Sequence, residues 1–328
     1  MQSMTNTPPG DAVATAAQVL ELAEAGCDLV RVAVPDMDAV LALREVRRLV
    51  PDVPLVADVH FDARIAVAVA PYVDKIRLNP GTIRGRKVFA EVAAAIRDHG
   101  IPLRIGANSG SLPPALRRDP RPMGERLCDA VADWVARFED AGCVHLVVSV
   151  KASNVMDTID AFRAAAVRFP YPLHVGVTEA GTPRSGSVRS AVALGVLLGE
   201  GIGDTIRVSL AGDPVEEVRV GLEILRSLGL RPEAGRLVAC PTCGRSRVDT
   251  AQLAARIEPL VDRLATPAVV AIMGCEVNGP GEAKGADWAL VGTPGGAAIL
   301  RRGRVVFQGG TEAAVVYLEE ALSRILGE

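Results

Sequence analysis

The 328-residue sequence has no run of about 18 uninterrupted apolar residues, so nothing in it reads as a membrane-spanning helix. Its first residues, MQSMTNTPPG, lack the basic and then apolar layout of a secretory leader, which makes the cytoplasm the expected compartment. A basic excess is missing too. With 36 Lys and Arg against 39 Asp and Glu the formal charge is -3, and nucleic acid is not an expected partner. Any anion site must therefore be local. No GxGxxG follows the first full strand, which disfavours a dinucleotide-binding open sheet. No CxxxCxxC occurs either, which disfavours a radical enzyme using S-adenosylmethionine. Of the 4 histidines, none follows His174.

What is present is apolar material for large cores, 49% hydrophobic against 23% charged, in a chain long enough for two domains. Short β-branched runs alternate with amphipathic Ala/Leu/Val/Arg/Glu segments, the pattern of βαβ units around a parallel sheet. The runs are residues 2–6, 28–34, 54–60, 75–79, 103–108, 145–151, 173–178 and 205–209. Helices are expected at 11–25, 38–49, 62–72, 86–99, 121–141, 155–168, 185–199 and 214–228, with Asp or Ser near several starts as N-caps. Eight strands and eight helices in about 230 residues match a closed (β/α)8 TIM barrel, here residues 1–233. The first run is short for a barrel strand.

Residues two apart on a strand share a face. Lys75, Arg77 and Asn79 therefore align, as do Arg104, Gly106 and Asn108, then Arg207 and Ser209. Asp58 aligns with His60, Ser149 with Lys151, and His174 with Thr178, while Arg31 stands alone in LVRVAVP. Helices cover the outside of a barrel, so this polar parity must point inward, where ordinary barrels carry Val, Ile and Leu. Internal ion pairing is the alternative reading, but few carboxylates share the parity: Asp58, with Glu179 and Asp204 near strand ends. Burying an unpaired guanidinium costs several kcal/mol. A ligand carrying one or two phosphates is the expected partner of these cations.

Residues 234–328 have a different character. Cys240 and Cys243 form a CxxC, and Cys275 follows 32 residues later. In a reducing compartment such a cluster reads as metal ligands, whereas Cys27, Cys128 and Cys143 sit in apolar stretches and read as buried core. Three thiols leave a metal one ligand short, and the carboxylates Glu276 and Glu282 are candidate fourth donors. Zinc with a fourth donor and a 4Fe-4S cluster both remain open. So does a non-redox barrel transferase resembling dihydropteroate synthase with structural zinc, or a non-catalytic phosphate-ligand sensor.

Taken together, QSMTNT, AGCDLVRVAVP, ADVHF, DKIRLNPG, RIGANSGSL, SVKAS, GVTEAG, GDTIRVSL, CPTCGR and GCEVNGPGEA resemble the 4-hydroxy-3-methylbut-2-enyl diphosphate synthases of the non-mevalonate isoprenoid pathway. The resemblance runs in order from Gln2 to about Gln308. It implies a barrel followed by a small α+β iron-sulfur domain, and the reductive ring opening of 2-C-methyl-D-erythritol 2,4-cyclodiphosphate. Two electrons would come from flavodoxin or ferredoxin through a 4Fe-4S cluster held by Cys240, Cys243, Cys275 and Glu282. Diphosphate-binding positions fall on Arg31, Arg77, Asn79, Arg104, Asn108, Lys151, Arg207 and Ser209, with Asp58, His60, His174 and Thr178 as neighbouring contacts. Glu179 falls on the acid-base position, a role that needs a carboxyl raised by partial burial. The resemblance also implies a head-to-tail homodimer of the short bacterial form. Family members carry further residues ahead of QSMTNT, a departure that bears on the floor of the barrel and not on the site.

Overall fold

The computed structural model describes residues 1–60, 62–78, 85–231, 234–277 and 279–327, the side chain of Pro280 excepted. The chain divides into two compact units, Met1–Leu228 and Gly229–Glu328.

In the first unit strands and helices alternate: β1 Gln2–Met4, α1 Ala12–Glu24, β2 Leu29–Ala33, α2 Met37–Leu49, β3 Leu55–Val59, α3 Arg64–Val69, β4 Lys75–Leu78, α4 Arg86–Asp98 and β5 Leu103–Asn108. There follow α5 Pro114–Arg117, α6 Met123–Asp140, β6 Leu146–Lys151, α7 Val155–Arg168, β7 His174–Val175, α8 Pro183–Gly199, β8 Thr205–Ile206 and α9 Pro214–Ser227. Four of these helices start where a side chain satisfies their first free N–H groups. Asp11 accepts from Ala14, Asp36 from Ala39, Asn154 from Met156 and Asp157, and Asp213 from Val215. Near residues 62–72 the expected helix is shorter. Pro71 has no N–H to continue the ladder, so α3 ends at Val69 and gives way to a 3-10 turn over Ala70–Tyr72.

Strands β1 to β6 pair in parallel in sequence order. A single bridge, Val148 with Leu173, carries the sheet on to the β7–β8 pair. Both of these strands are two residues long, shorter than the runs at 173–178 and 205–209. The reason is local: Gly176 takes φ +155°, and the Thr178 N–H turns to the Ala152 carbonyl beyond the end of β6. Among the described residues no backbone ladder joins β8 to β1. Side chains span that seam instead, as described below.

The outward parity of the strands is apolar and sealed: Val30, Leu55, Ala57, Ile76, Leu103 and Val148 are all buried without exposed area. They pack with Leu22, Leu43, Phe138 and Phe162 of the helices in one core, each such side chain contributing roughly 1.5–3 kcal/mol. Cys27, Cys128 and Cys143 belong to the same core, and burial pushes the Cys128 thiol up to about 11.

The second unit contains β9 Arg236–Ala239, α10 Thr250–Asp262, β10 Val269–Met273, α11 Gly279–Glu282, β11 Trp288–Thr293, β12 Gly296–Arg301, β13 Arg304–Gly309 and α12 Thr311–Leu326. Its sheet order is β13-β12-β11-β10-β9, parallel across β9, β10 and β11 and antiparallel from β11 to β13. Helices α10 and α12 share a core with the sheet, through Ile257, Val261, Val315 and Leu318 against Val270, Ile272, Leu290 and Ile299.

Candidate functional site

The inward parity of the barrel converges on one cavity. Arg31, His60, Arg77, Arg104, Gly106, Asn108, Ser149, Lys151, Thr178, Arg207 and Ser209 line it, around about 490 Å³ of space that includes the part continuous with solvent. The lining residues come from β2, β4, β5 and β6 and from the segments that follow β3, β7 and β8, at the end of the barrel where such folds place their chemistry.

Two buried carboxylates serve four of the basic side chains. Asp58 lies 3.0 Å from Arg77 Nη1, 3.6 Å from Arg31 Nε and 3.2 Å from His60 Nε2. Burial would raise its carboxyl, but Arg31, the hydrogen bond with His60 and Arg77 overcome this and hold it well below the usual range. Glu217, on α9, accepts from Arg207 Nε at 3.2 Å and Nη2 at 3.3 Å. Pairing inside the barrel is therefore more extensive than the strand parity indicates, because Glu217 comes from a helix.

For Arg104 and Lys151 no carboxylate stands within ion-pair distance among the described residues. Burial first, then the neighbouring cations, brings both well below their ordinary values, and Arg31 is drawn down to about 9. This is the mark of a site short of negative charge. Among the described residues Arg104 Nη1 reaches only Gln2 Oε1 at 3.5 Å, and its buried Nε has no partner. Lys151 lies close to Gly176: a Cβ built there would stand 3.0 Å from its Nζ and against the Arg207 carbonyl. Glycine is what lets the chain after β7 pass so near the ammonium, in a backbone region that side chains rarely adopt.

His174 is not a lining residue. It is buried below the cavity, with Nδ1 2.9 Å from Thr205 Oγ1 and Nε2 without a partner, and burial followed by Lys151 and Arg104 drives it towards the neutral form. Glu179 does not meet the expected burial. It is exposed, accepts from Ser153 Oγ at 3.2 Å rather than pairing with Arg104 or Lys151, and holds a left-handed backbone at φ 54°. Asn79 lies outside the described residues. Ser149 and Gly106 share the inward parity and line the cavity. Glu217 escapes strand analysis entirely; its one sequence signal is an acidic residue in the first turn of a helix that follows a cationic strand.

In the second unit the topology brings two cysteine-bearing segments together. Cys240 follows β9 and Cys275 follows β10, at the C-terminal ends of neighbouring parallel strands, and the Cys240 N–H bonds the Ile272 carbonyl at 3.0 Å. The CPTCGR loop folds back on the same corner, since Arg247 N–H bonds the Gly274 carbonyl at 2.7 Å. A Cβ at Gly274 would sit 2.5 Å from Ser246 Oγ, so the residue before Cys275 has no room for a side chain. Cys275 is buried, Cys240 half-buried, and Cys243 and Glu282 exposed. Among the described residues no three His, Cys, Asp or Glu side chains already stand at metal-binding distances. Three soft thiols on adjoining segments, with a carboxylate a few residues on, are a donor set that fits an iron-sulfur group.

An α/β barrel with a cationic mouth, followed by a small sheet whose edge gathers thiols, defines the class of protein. Residues 1–222 match the family model described as the GcpE TIM-barrel domain, and residues 236–324 that described as the GcpE protein C-terminal domain. A curated relative from Ruminiclostridium cellulolyticum, named 4-hydroxy-3-methylbut-2-en-1-yl diphosphate synthase (flavodoxin), is 48% identical over 308 residues, 93% of this chain and 87% of that protein. One of the same name from Geobacillus kaustophilus is 44% identical over 330 residues, covering 100% of this chain and 88% of its own length. The chain belongs to the GcpE family. A dihydropteroate synthase from Yersinia pestis aligns with a TM-score of 0.50 at 15% identity, over 70% of this chain and 94% of that one, which is a likeness of fold.

Proposed function

We propose that this chain is an iron-sulfur oxidoreductase that opens 2-C-methyl-D-erythritol 2,4-cyclodiphosphate reductively to 4-hydroxy-3-methylbut-2-enyl diphosphate. The names of its relatives support the reaction and flavodoxin as electron donor. The observation that carries the substrate side is the cavity itself, whose buried Arg104 and Lys151 lack carboxylate partners. Two phosphates supply the missing charge.

In this reading Arg31, Arg77, Arg104, Lys151 and Arg207, with Asn79, Asn108 and Ser209, bind and orient the diphosphate, and fixed donors need little reorganisation as charge shifts. Asp58 holds Arg31 and Arg77 in place, while His60, His174 and Thr178 shape the site around the ring. Glu179 delivers the proton with which the hydroxyl on the carbon beside the opened C–O bond leaves as water, while the ring oxygen stays on the diphosphate. A 4Fe-4S cluster supplies the two electrons, and Cys240, Cys243, Cys275 and Glu282 are the residues that hold it. We assign the chain to the cytoplasm and to a head-to-tail homodimer, as the family resemblance implies; no helix is long and apolar enough to cross a membrane among the described residues. Activity restored by mixing a cluster-dead and a barrel-dead variant tests the dimer.

Substituting Glu179→Gln tests the chemistry. Substrate should still bind while turnover falls at least about 100-fold; unchanged turnover removes Glu179 from the mechanism. Iron and sulfide measured after anaerobic purification test the cofactor. Both should fall in Cys275→Ser, and a wild-type chain that holds neither overturns the iron-sulfur reading.

A further inference from the structure

Glu217 is 4% exposed, and its bonds tie β1 to the segment that follows β8. It accepts from Ser3 Oγ on β1 at 2.9 Å, from Arg207 Nε and Nη2 after β8 at 3.2 and 3.3 Å, and from the Leu210 N–H at 3.0 Å. Ser3 Oγ also lies 3.4 Å from the Pro214 carbonyl, at the start of the helix that carries Glu217. The carboxylate thus stands in the gap where β8 and β1 share no backbone ladder among the described residues. It engages Arg207 through two nitrogens, which fixes the plane of the guanidinium as well as its distance.

Among the described arginines that line the cavity, Arg207 is the one that lies beyond the end of its strand instead of on it. Arg31 and Arg77 are held on rigid paired strands with Asp58 between them. Arg207 instead follows a two-residue strand, and its other contact is the sulfur of Met4, 3.8 Å from Nη1. From this arrangement we infer that Glu217 is a positioning residue. It latches the β8–β1 seam and, through Arg207, sets the orientation of the guanidinium that meets the anionic substrate. The inference rests on the substrate class proposed above.

The test is a double-mutant cycle on the dissociation constant of 2-C-methyl-D-erythritol 2,4-cyclodiphosphate, using Glu217→Asp and Arg207→Lys in the full-length, cluster-loaded protein. Asp keeps the charge and shortens the reach; Lys keeps the charge and removes the planar fork. E217D should weaken binding about tenfold or more, as misplacement by about an ångström does, and should weaken it little further when residue 207 is already Lys. The thermal melt should fall with E217D in both backgrounds, because the bond to Ser3 does not involve Arg207. An equal loss of affinity in both backgrounds overturns the inference, since the effect would then pass through the fold at large. So does unaltered affinity in E217D. If E217D does not melt cooperatively, the nearly isosteric E217Q enters the same cycle: a change in affinity that vanishes beside R207K supports the positioning role, and one that persists overturns it as a charge effect. Wild-type protein that does not bind the cyclodiphosphate refutes the substrate assignment, and the inference about Glu217 falls with it.

Discussion

Replacing Asp58 by Asn should destabilise the barrel more than any other single loss of a carboxylate there except Glu217. Asp58 is 4% exposed and its partner Arg77 7%, so the pair belongs with buried ion pairs and not with the surface ones that are worth little. Removing one member of a buried pair costs about 3–5 kcal/mol, chiefly because the other charge is left uncompensated. Here two guanidiniums, Arg77 and Arg31, lose the same carboxylate, while Asn still accepts a hydrogen bond; these act in opposite directions and keep the expectation within that range. For a unit the size of Met1–Leu228 it corresponds to a fall in melting temperature of roughly 6–20 °C. The pH dependence has a definite sign. Because the folded carboxyl is held below its ordinary value, its contribution is complete above the unfolded value of about 3.9 and is lost as pH falls from there. The gap between wild type and D58N should therefore be constant from neutral pH to about 5 and narrow below it. Calorimetric melts along a pH series measure both, with Asp62→Asn as the control, since Asp62 pairs with an exposed Arg64 and should leave the melt unchanged. A D58N protein within about 1 kcal/mol of wild type, or a gap indifferent to acid, would refute the reasoning.

Lys151 gives a second expectation. Burial and then Arg104 and Arg207 depress its ammonium, and a bound phosphate would restore it, so the cyclodiphosphate should bind with net proton uptake at pH values between the depressed and the ordinary lysine value of about 10.4. Titration calorimetry at pH 8 in buffers of different ionisation enthalpy reads this directly, and heats independent of the buffer contradict it. Gly176→Ala should cost at least about 2 kcal/mol, since a Cβ there meets the Arg207 carbonyl in a backbone region closed to most residues. A G176A protein that melts and binds substrate like wild type would show that the close passage beside Lys151 is not required.

The sequence by itself determined which face of each well-paired strand is polar. The period of two is a local property of extended backbone, so Arg31, Arg77, Arg104 and Lys151 could be assigned to one interior before any contact was known. Helix starts at Asp11, Asp36, Asn154 and Asp213 were legible for the same reason, since a cap bonds only two or three residues ahead. Cys27, Cys128 and Cys143 were legible as core cysteines from their neighbours alone, and all three lie in the barrel core. The ends of β7 and β8 were not legible, because they depend on where Gly176 bends and on a carbonyl beyond β6. The exposure of Glu179 and the depth of His174 follow from the same bend. Only the tertiary structure decided how the interior charge is balanced. Glu217 meets Ser3 across 214 positions of chain, and no local pattern encodes a carboxylate that reaches from a helix into a barrel seam. Ion pairs act over a few ångströms whatever their separation in sequence, so which cations are compensated and which are not is settled by closure of the fold.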